Sequence, residues 1–250
     1  MTAEFDSHPE TYDVCAYWGA RKESPEECAQ RTAVLLGMLA ECDSLLAHWY
    51  VPTRSRKDAL KHPLMPPDIS TLTERFRRGV NREKGGPVFE DLGFTFWFGN
   101  GGSGETLVDL RIKCGAYSGG SSNYCWMTLP RKGPHFERMV EVPVLTNFMR
   151  AMFSAWSPDW MLTGSNLYRM KYREPDASPF SLGWMTYLAN HVGRVPPLPA
   201  PVRIEPVEDK GMLILLTPER FTVSNPEHVA LARRVRELLA RAGLMPPVTP

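Results

Sequence analysis

Apolar and polar positions alternate from Tyr12 to Trp18, with Tyr12, Val14, Ala16 and Trp18 on one face and Cys15 and Tyr17 on the other, which predicts a strand broken at Gly19. The period then changes. Cys28, Leu35, Leu39, Cys42 and Leu46 recur at helical spacing, and Met38, Leu45 and Trp49 widen the stripe. Ahead of that stripe Ser24 can cap, Pro25 suits the first helical position, and Glu27 stands where it completes a capping box. Together these predict a helix from Pro25 to Ala47. Ser55 with Asp58 marks a short capped turn over Arg56 to Lys61, stopped by Pro63, Pro66 and Pro67. Thr71 to Val80 reads as a short basic helix.

Three β-patterned runs follow, Gly93–Phe98, Thr106–Ala116 and Asn123–Leu129, separated by Gly/Ser-rich turns as in an antiparallel meander. Pro143 to Trp156 fits a buried amphipathic helix stopped by Ser157-Pro158. Met161 to Tyr172 reads as extended chain, and the short apolar segment Gly183 to Asn190 as helix. Arg194 to Pro201 is polyproline-type chain, either a linker or, favoured by its length and apolar Leu198, a strap across the same domain. Val202–Val207 and Met212–Leu216 flank a Glu208-Asp209-Lys210-Gly211 turn, a hairpin pattern. Asn225-Pro226 opens a last helix through Ala242 with Gly243 as its stop; Val229, Ala232, Val235, Leu238 and Leu239 form its apolar face. Strands cluster instead of alternating with helices, so the expected class is α+β: an antiparallel sheet, meander plus C-terminal hairpin, packed with several helices in a single domain over 1–250.

Composition narrows the function. Lys+Arg 29 against Asp+Glu 28 leaves a net charge of +1, which advertises neither a polyanion-binding surface nor an acidic nucleic-acid mimic. The polar, acidic start lacks the build of a signal peptide, and no apolar run reaches the roughly 18 residues that span a bilayer. Five cysteines, Cys15, Cys28, Cys42, Cys114 and Cys125, make an odd set without a CxxC pair. Reduced thiols in a cytoplasmic protein fit that better than a disulfide framework.

No chemistry assembles from the motifs. Gly99-Asn100-Gly101-Gly102-Ser103-Gly104 satisfies GxGxxG, but a dinucleotide site needs a helix to begin there. Glu105 to Ile112 alternates like a strand, so a flexible hairpin loop is expected. His8, His48, His62, His135, His191 and His228 are scattered without metal-ligand spacing, and His228 is expected near solvent in the first turn of the last helix. Each cysteine falls on an apolar helix face or in a strand, and no GxSxG elbow occurs. No catalytic residue, metal or cofactor is therefore expected, nor a small-molecule substrate, a membrane or direct nucleic-acid contact. Of seven tryptophans, Trp97 stands out with Phe98 beside the Gly-rich loop: if Phe94 and Phe96 face the core, Trp97 faces outward as a binding anchor.

As a set, the segments resemble the immunity protein 52 family of bacterial polymorphic toxin systems. The resemblance rests on Tyr17-Trp18-Gly19-Ala20-Arg21-Lys22-Glu23-Ser24 with Cys28-Ala29, Trp49-Tyr50 with Ser55 and Ala59-Leu60, and Cys114-Gly115-Ala116-Tyr117. It continues in Trp156-Ser157-Pro158-Asp159-Trp160, Gly183-Trp184-Met185-Thr186-Tyr187-Leu188, and Leu216 to Phe221 leading into Asn225-Pro226-Glu227-His228. It implies a cytoplasmic protein that binds and blocks a cognate toxin, typically a restriction-endonuclease-like nuclease delivered by contact-dependent or type VI secretion. A non-catalytic adaptor of a secretion system would show the same lack of motifs. The family motif residues Trp18, Gly19, Arg21, Glu23, Ser24, Trp184 and Tyr187 read as structural, with Arg21 pairing a carboxylate at the strand-to-helix corner. With a net charge of +1, any acidic plug for a basic cleft must be local. The candidate partner-binding patches are Glu205, Glu208 and Asp209 on the late hairpin, and Glu90 and Asp91 with Trp97 and Phe98.

Overall fold

The computed structural model describes residues 9–64, 68–82, 86–172 and 181–245. In chain order they form β1 (Tyr12–Trp18), α1 (Pro25–Cys42), α2 (Arg56–Ala59), α3 (Ile69–Arg78), β2 (Phe94–Gly99), β3 (Asp109–Cys114), β4 (Asn123–Thr128), α4 (Pro134–Met139), α5 (Val142–Trp156), β5 (Trp160–Ser165), α6 (Asn166–Lys171), β6 (Met185–Ala189), β7 (Arg203–Val207), β8 (Gly211–Leu215) and α7 (Pro226–Arg241). The strands make one antiparallel sheet in the order β2-β3-β4-β1-β5-β6-β8-β7, so the architecture is α+β, with the expected meander at one end and the expected hairpin at the other. Pro66 and Pro67, expected to stop the α2 turn, and His8 lie outside the described residues.

Local chemistry explains where the elements start and stop. The Ser24 hydroxyl accepts from the Glu27 amide while the Glu27 carboxylate accepts from the Ser24 amide, closing the capping box of α1. That helix ends at Cys42, not Ala47, because Asp43 turns the chain. Its carboxylate accepts from the Leu45 amide and binds Arg138 of α4 through two 2.9 Å hydrogen bonds, pulling Ser44–Leu46 into a 3₁₀ turn. The extended reading of Met161 to Tyr172 holds as far as Ser165, whose hydroxyl caps α6 by accepting from the Tyr168 amide. The helix expected over Gly183 to Asn190 is instead β6. It lies between β5 and β8 with every residue buried, and a strand covered on both faces loses the alternation that marks a strand. His228 is 5% exposed, contrary to the solvent position expected for it. Its Nδ1 accepts from the Thr222 amide, which places the ring proton on Nε2, 3.2 Å from the Glu219 carboxylate.

The GxGxxG string is a loop between β2 and β3, with one 3₁₀ turn at Gly104–Thr106 and no helix for a phosphate. It is organised, not flexible. The Asn100 amide group donates to the carbonyls of Leu45 and Thr106 and accepts from the amides of Gly102 and Val108.

One part of the core lies between the sheet and α1, α3 and α5 on one of its faces, and buried Trp160, Leu162 and Leu188 extend it to the other face at β5 and β6. Trp18 stacks on Trp156 of α5 with ring centroids 4.9 Å apart, Phe76 of α3 meets Phe94 and Phe96, and Phe153 meets Tyr187. Three of the motif segments converge where β1 leaves the sheet. Glu23, its side chain 4% exposed, sits 3.1 Å from Arg21 Nε and 2.7 Å from Arg31 Nε. Arg21 also donates to the Trp156 carbonyl and Arg31 to the Ala155 carbonyl, both at 2.9 Å. Those carbonyls end α5, whose last turn contains no basic residue of its own; the two guanidiniums from the β1–α1 region supply the positive charge its C-terminus calls for. The Gly19 amide donates to Asp159, the Gly19 carbonyl accepts from Asn123, and the Arg21 amide donates to Ala116. Trp184 and Tyr187 are buried with their polar tips on the carbonyls of Thr217 and Lys210.

The β2 edge is covered and the β7 edge is blunted. Along β2, the Thr95 amide donates to Gly79 and Gly99 exchanges hydrogen bonds with Tyr50. Along β7, Pro206 lacks an N–H and exposed Arg203 and Glu205 flank it, which blunts the edge.

Removing the charge at the corner strands two guanidiniums against the end of α5. Glu23→Gln is expected to cost about 2–4 kcal/mol in urea unfolding. Glu26→Gln, which breaks an exposed pair with Arg77, is expected to cost below about 1 kcal/mol.

Candidate partner-binding surface

In β3 and β4 burial alternates strictly: Leu110, Ile112 and Cys114, and Asn123, Cys125 and Met127, are buried on the helix side. Their neighbours Asp109, Arg111 and Lys113, and Tyr124, Trp126 and Thr128, face the other way and keep solvent contact. In β5 and β6, by contrast, every residue is buried. The second face of the sheet is thus covered in its β5–β6 half and uncovered across β4, β3 and β2.

Register fixes what that open face presents. Trp97, Arg111 and Trp126 are direct cross-strand neighbours in one row; Thr95, Lys113 and Tyr124 form the next. Trp97 is 45% exposed, with the Arg111 guanidinium 6.0 Å from its ring centroid. Arg169 of α6 reaches over Trp126 at 4.7 Å and pairs with buried Asp13 at 2.9 Å. A hollow of about 270 Å³ lies among Trp97, Asp109, Arg111, Trp126 and Thr128. It falls below the usual range of small-molecule pockets, about 300–1,000 Å³. Burial pushes the Asp109 carboxyl above its ordinary value, against a hydrogen bond from Trp97 and the charges of Arg111 and Arg131.

The candidate residues do not form one site. Trp97 lies on the open face, but Phe98 points to the opposite side and is fully buried, its ring 4.3 Å from that of Phe96. It offers nothing to a partner, because successive residues of a strand alternate faces. Glu90 is exposed and Asp91 half-buried in a 3₁₀ turn before β2, where the Asp91 carbonyl accepts from Tyr117 and Ser118. Glu205, Glu208 and Asp209 sit at the other edge of the sheet, about 30 Å away at the usual strand spacing. There Glu208 pairs with Lys210 at 3.0 Å, Glu205 lies 4.0 Å from Arg203, and the Asp209 carbonyl accepts from Asn190. Sequence reasoning passed over Arg111, Lys113, Tyr124 and Trp126. Their polar alternation in the meander was visible, but only the register sets them beside Trp97.

All five thiols are free. Burial raises the Cys15 thiol to about 12 even with Arg169 3.8 Å away, and it raises Cys114 and Cys125 as well. Among the described residues no cluster of His, Cys, Asp or Glu has the geometry to hold a metal ion. No helix among them is long and apolar enough to cross a membrane.

The sequence profile of the family described as Immunity protein 52 matches residues 10–248. No functionally curated protein matches the chain. The Pseudomonas aeruginosa T6SS protein PA0821 has a similar structure, with a TM-score of 0.54, 11% sequence identity, and coverage of 93% of this chain and 73% of that one. At that identity the likeness is one of fold.

Two measurements check the chemistry of this region. In native protein a thiol reagent is expected to reach half-buried Cys42 at most, and all five cysteines only after denaturation. Burial pushes the Asp13 carboxyl above its ordinary value, outweighing Arg169, so the native state holds that proton more tightly than the unfolded chain does. Its contribution to stability therefore falls as pH rises upward from the ordinary aspartate value of 3.8. The stability difference between wild type and Asp13→Asn should move against wild type across that window, and a pH-independent difference would contradict the assignment.

Proposed function

The chain belongs to the immunity protein 52 family, and on that premise we propose that it binds a cognate bacterial toxin and neutralises it by contact, without chemistry of its own. The observation that carries this reading is the uncovered β2–β4 face, which displays Trp97, Arg111, Lys113, Tyr124 and Trp126 while the cysteines stay buried or half-buried. Exposed aromatic and arginine side chains on a rigid sheet are the composition of a protein-binding surface.

The family resemblance supports a finer reading of that partner, which we propose as follows. The toxin is a nuclease of the restriction-endonuclease type, injected by a contact-dependent or type VI system, and this chain meets it in the cytoplasm of the producing cell. The fold shared with a Pseudomonas aeruginosa T6SS protein supports the secretion-linked setting. Free thiols in all five positions support a reducing compartment.

Co-expression tests the reading. Toxicity of the toxin encoded in the adjoining reading frame should be relieved by this chain, and the two should co-purify as a stable complex. Purified toxin should lose nuclease activity on plasmid DNA when the chain is added in equimolar amount. Co-purification with secretion components without protection would assign an adaptor role instead.

A further inference from the structure

On the open face, cation and aromatic alternate along one line. Trp97, Arg111 and Trp126 are consecutive cross-strand neighbours, and Arg169 caps the line over Trp126. The members differ in how far their charges are already matched. Arg169 is committed to Asp13 and Asn166. Asp109 accepts a hydrogen bond from Trp97. Arg111 and Lys113 make no ion pair among the described residues, and Arg111 is exposed. An Arg111 fork between two indoles is therefore open to an external acceptor. A carboxylate matches it, because the guanidinium donates two parallel N–H bonds and the flanking rings restrict access of competing water.

The surroundings favour a protein segment over a nucleic acid. Three unmatched cations, Arg111, Lys113 and Arg131, with a carboxylate beside them release few counterions, too few to hold a phosphate backbone, and the chain's net charge is only +1. Exposed apolar side chains occur on neighbouring segments: α6, which supplies Arg169, also carries Met170 (54% exposed), and Leu107 is exposed just before β3. The acids expected to plug a basic cleft are weaker candidates, since Lys210 and Arg203 lie against Glu208 and Glu205.

We propose that the Trp97–Arg111–Trp126 row is the toxin-docking surface and takes an acidic segment of the toxin, with a carboxylate on Arg111 and an apolar neighbour on Trp97. This rests on the immunity reading above. The sign of the interaction is thereby reversed from an acidic plug: the inhibitor supplies the cation.

Binding of the adjoining toxin by calorimetry, at low and at physiological salt, tests the proposal. Arg111 and Trp97 lie on the surface, outside the core, so variants there should remain folded, with a single cooperative melting transition as the check. Wild type should bind, more weakly at higher salt. Arg111→Glu should weaken binding by about 100-fold or more, and Trp97→Ala by about 30-fold, the usual range for anchor residues. Reversing Glu205 and Glu208 to Lys should leave affinity unchanged. If wild type binds and both row variants stay within about 3-fold of it, well below the anchor range, the docking surface lies elsewhere and the immunity reading stands. If wild type fails to bind the toxin, both readings fall. Tight binding of a single-stranded oligonucleotide that quenches Trp97, with toxin affinity unaffected by the row variants, overturns the acidic-segment assignment in favour of nucleic acid.

Discussion

Glu23 places a carboxylate in the interior between two guanidiniums, and each guanidinium donates from its Nη1 to a carbonyl at the end of α5. That arrangement answers two problems at once. A buried carboxylate without partners and a buried helix terminus without donors are each unstable alone. Joined through Arg21 and Arg31, they fix α1 and α5 against the exit of β1, the strand that links β4 to β5 at the middle of the sheet. The Trp18–Trp156 stack forms on the same corner, with the Arg21 guanidinium 5.2 Å from the Trp18 ring. With the helices held on one face here, the other face of the meander is left without cover, and the exposed row of Trp97, Arg111 and Trp126 exists because of that asymmetry.

What the sequence disclosed and what it hid divide along the same physical line. Features determined within a few residues were legible: the Ser24–Glu27 box, the strand at β1, the α2 cap at Ser55, the meander and the late hairpin. Features that depend on distant chain were not. The stop of α1 at Cys42 needs Arg138, and the strand character of β6 needs neighbours on both sides. The outward aim of Trp97 could be argued from alternation, yet the same alternation should have removed Phe98 from the candidate surface. Arg111 and Trp126 were hidden for a third reason. Each strand announces its polar face, but which residue stands beside which is decided by register, and register is a property of the assembled sheet.

The motif segments that carry the family resemblance contact one another within the frame. Tyr17 to Ser24, Cys114 to Tyr117 and Trp156 to Trp160 meet at the β1 exit through Arg21, Asn123 and Asp159. Gly183 to Leu188 joins the stretch from Leu216 through the Trp184 hydrogen bond to Thr217. Family membership is thus recorded in the frame, whereas the open face lies largely outside the quoted motifs. A frame held by its own polar contacts leaves the face free to differ without disturbing the fold.

The covered β2 edge and the blunted β7 edge give that freedom a specific form. With β2 occupied by Tyr50 and Gly79, and β7 interrupted by Pro206, a partner finds no continuous backbone ladder to extend. Main-chain pairing would accept almost any extended segment and so would blur the distinction between one toxin and another. Recognition confined to side chains on a flat sheet can instead be rewritten one residue at a time, so a lineage of such proteins can follow a diversifying adversary while its scaffold stays the same.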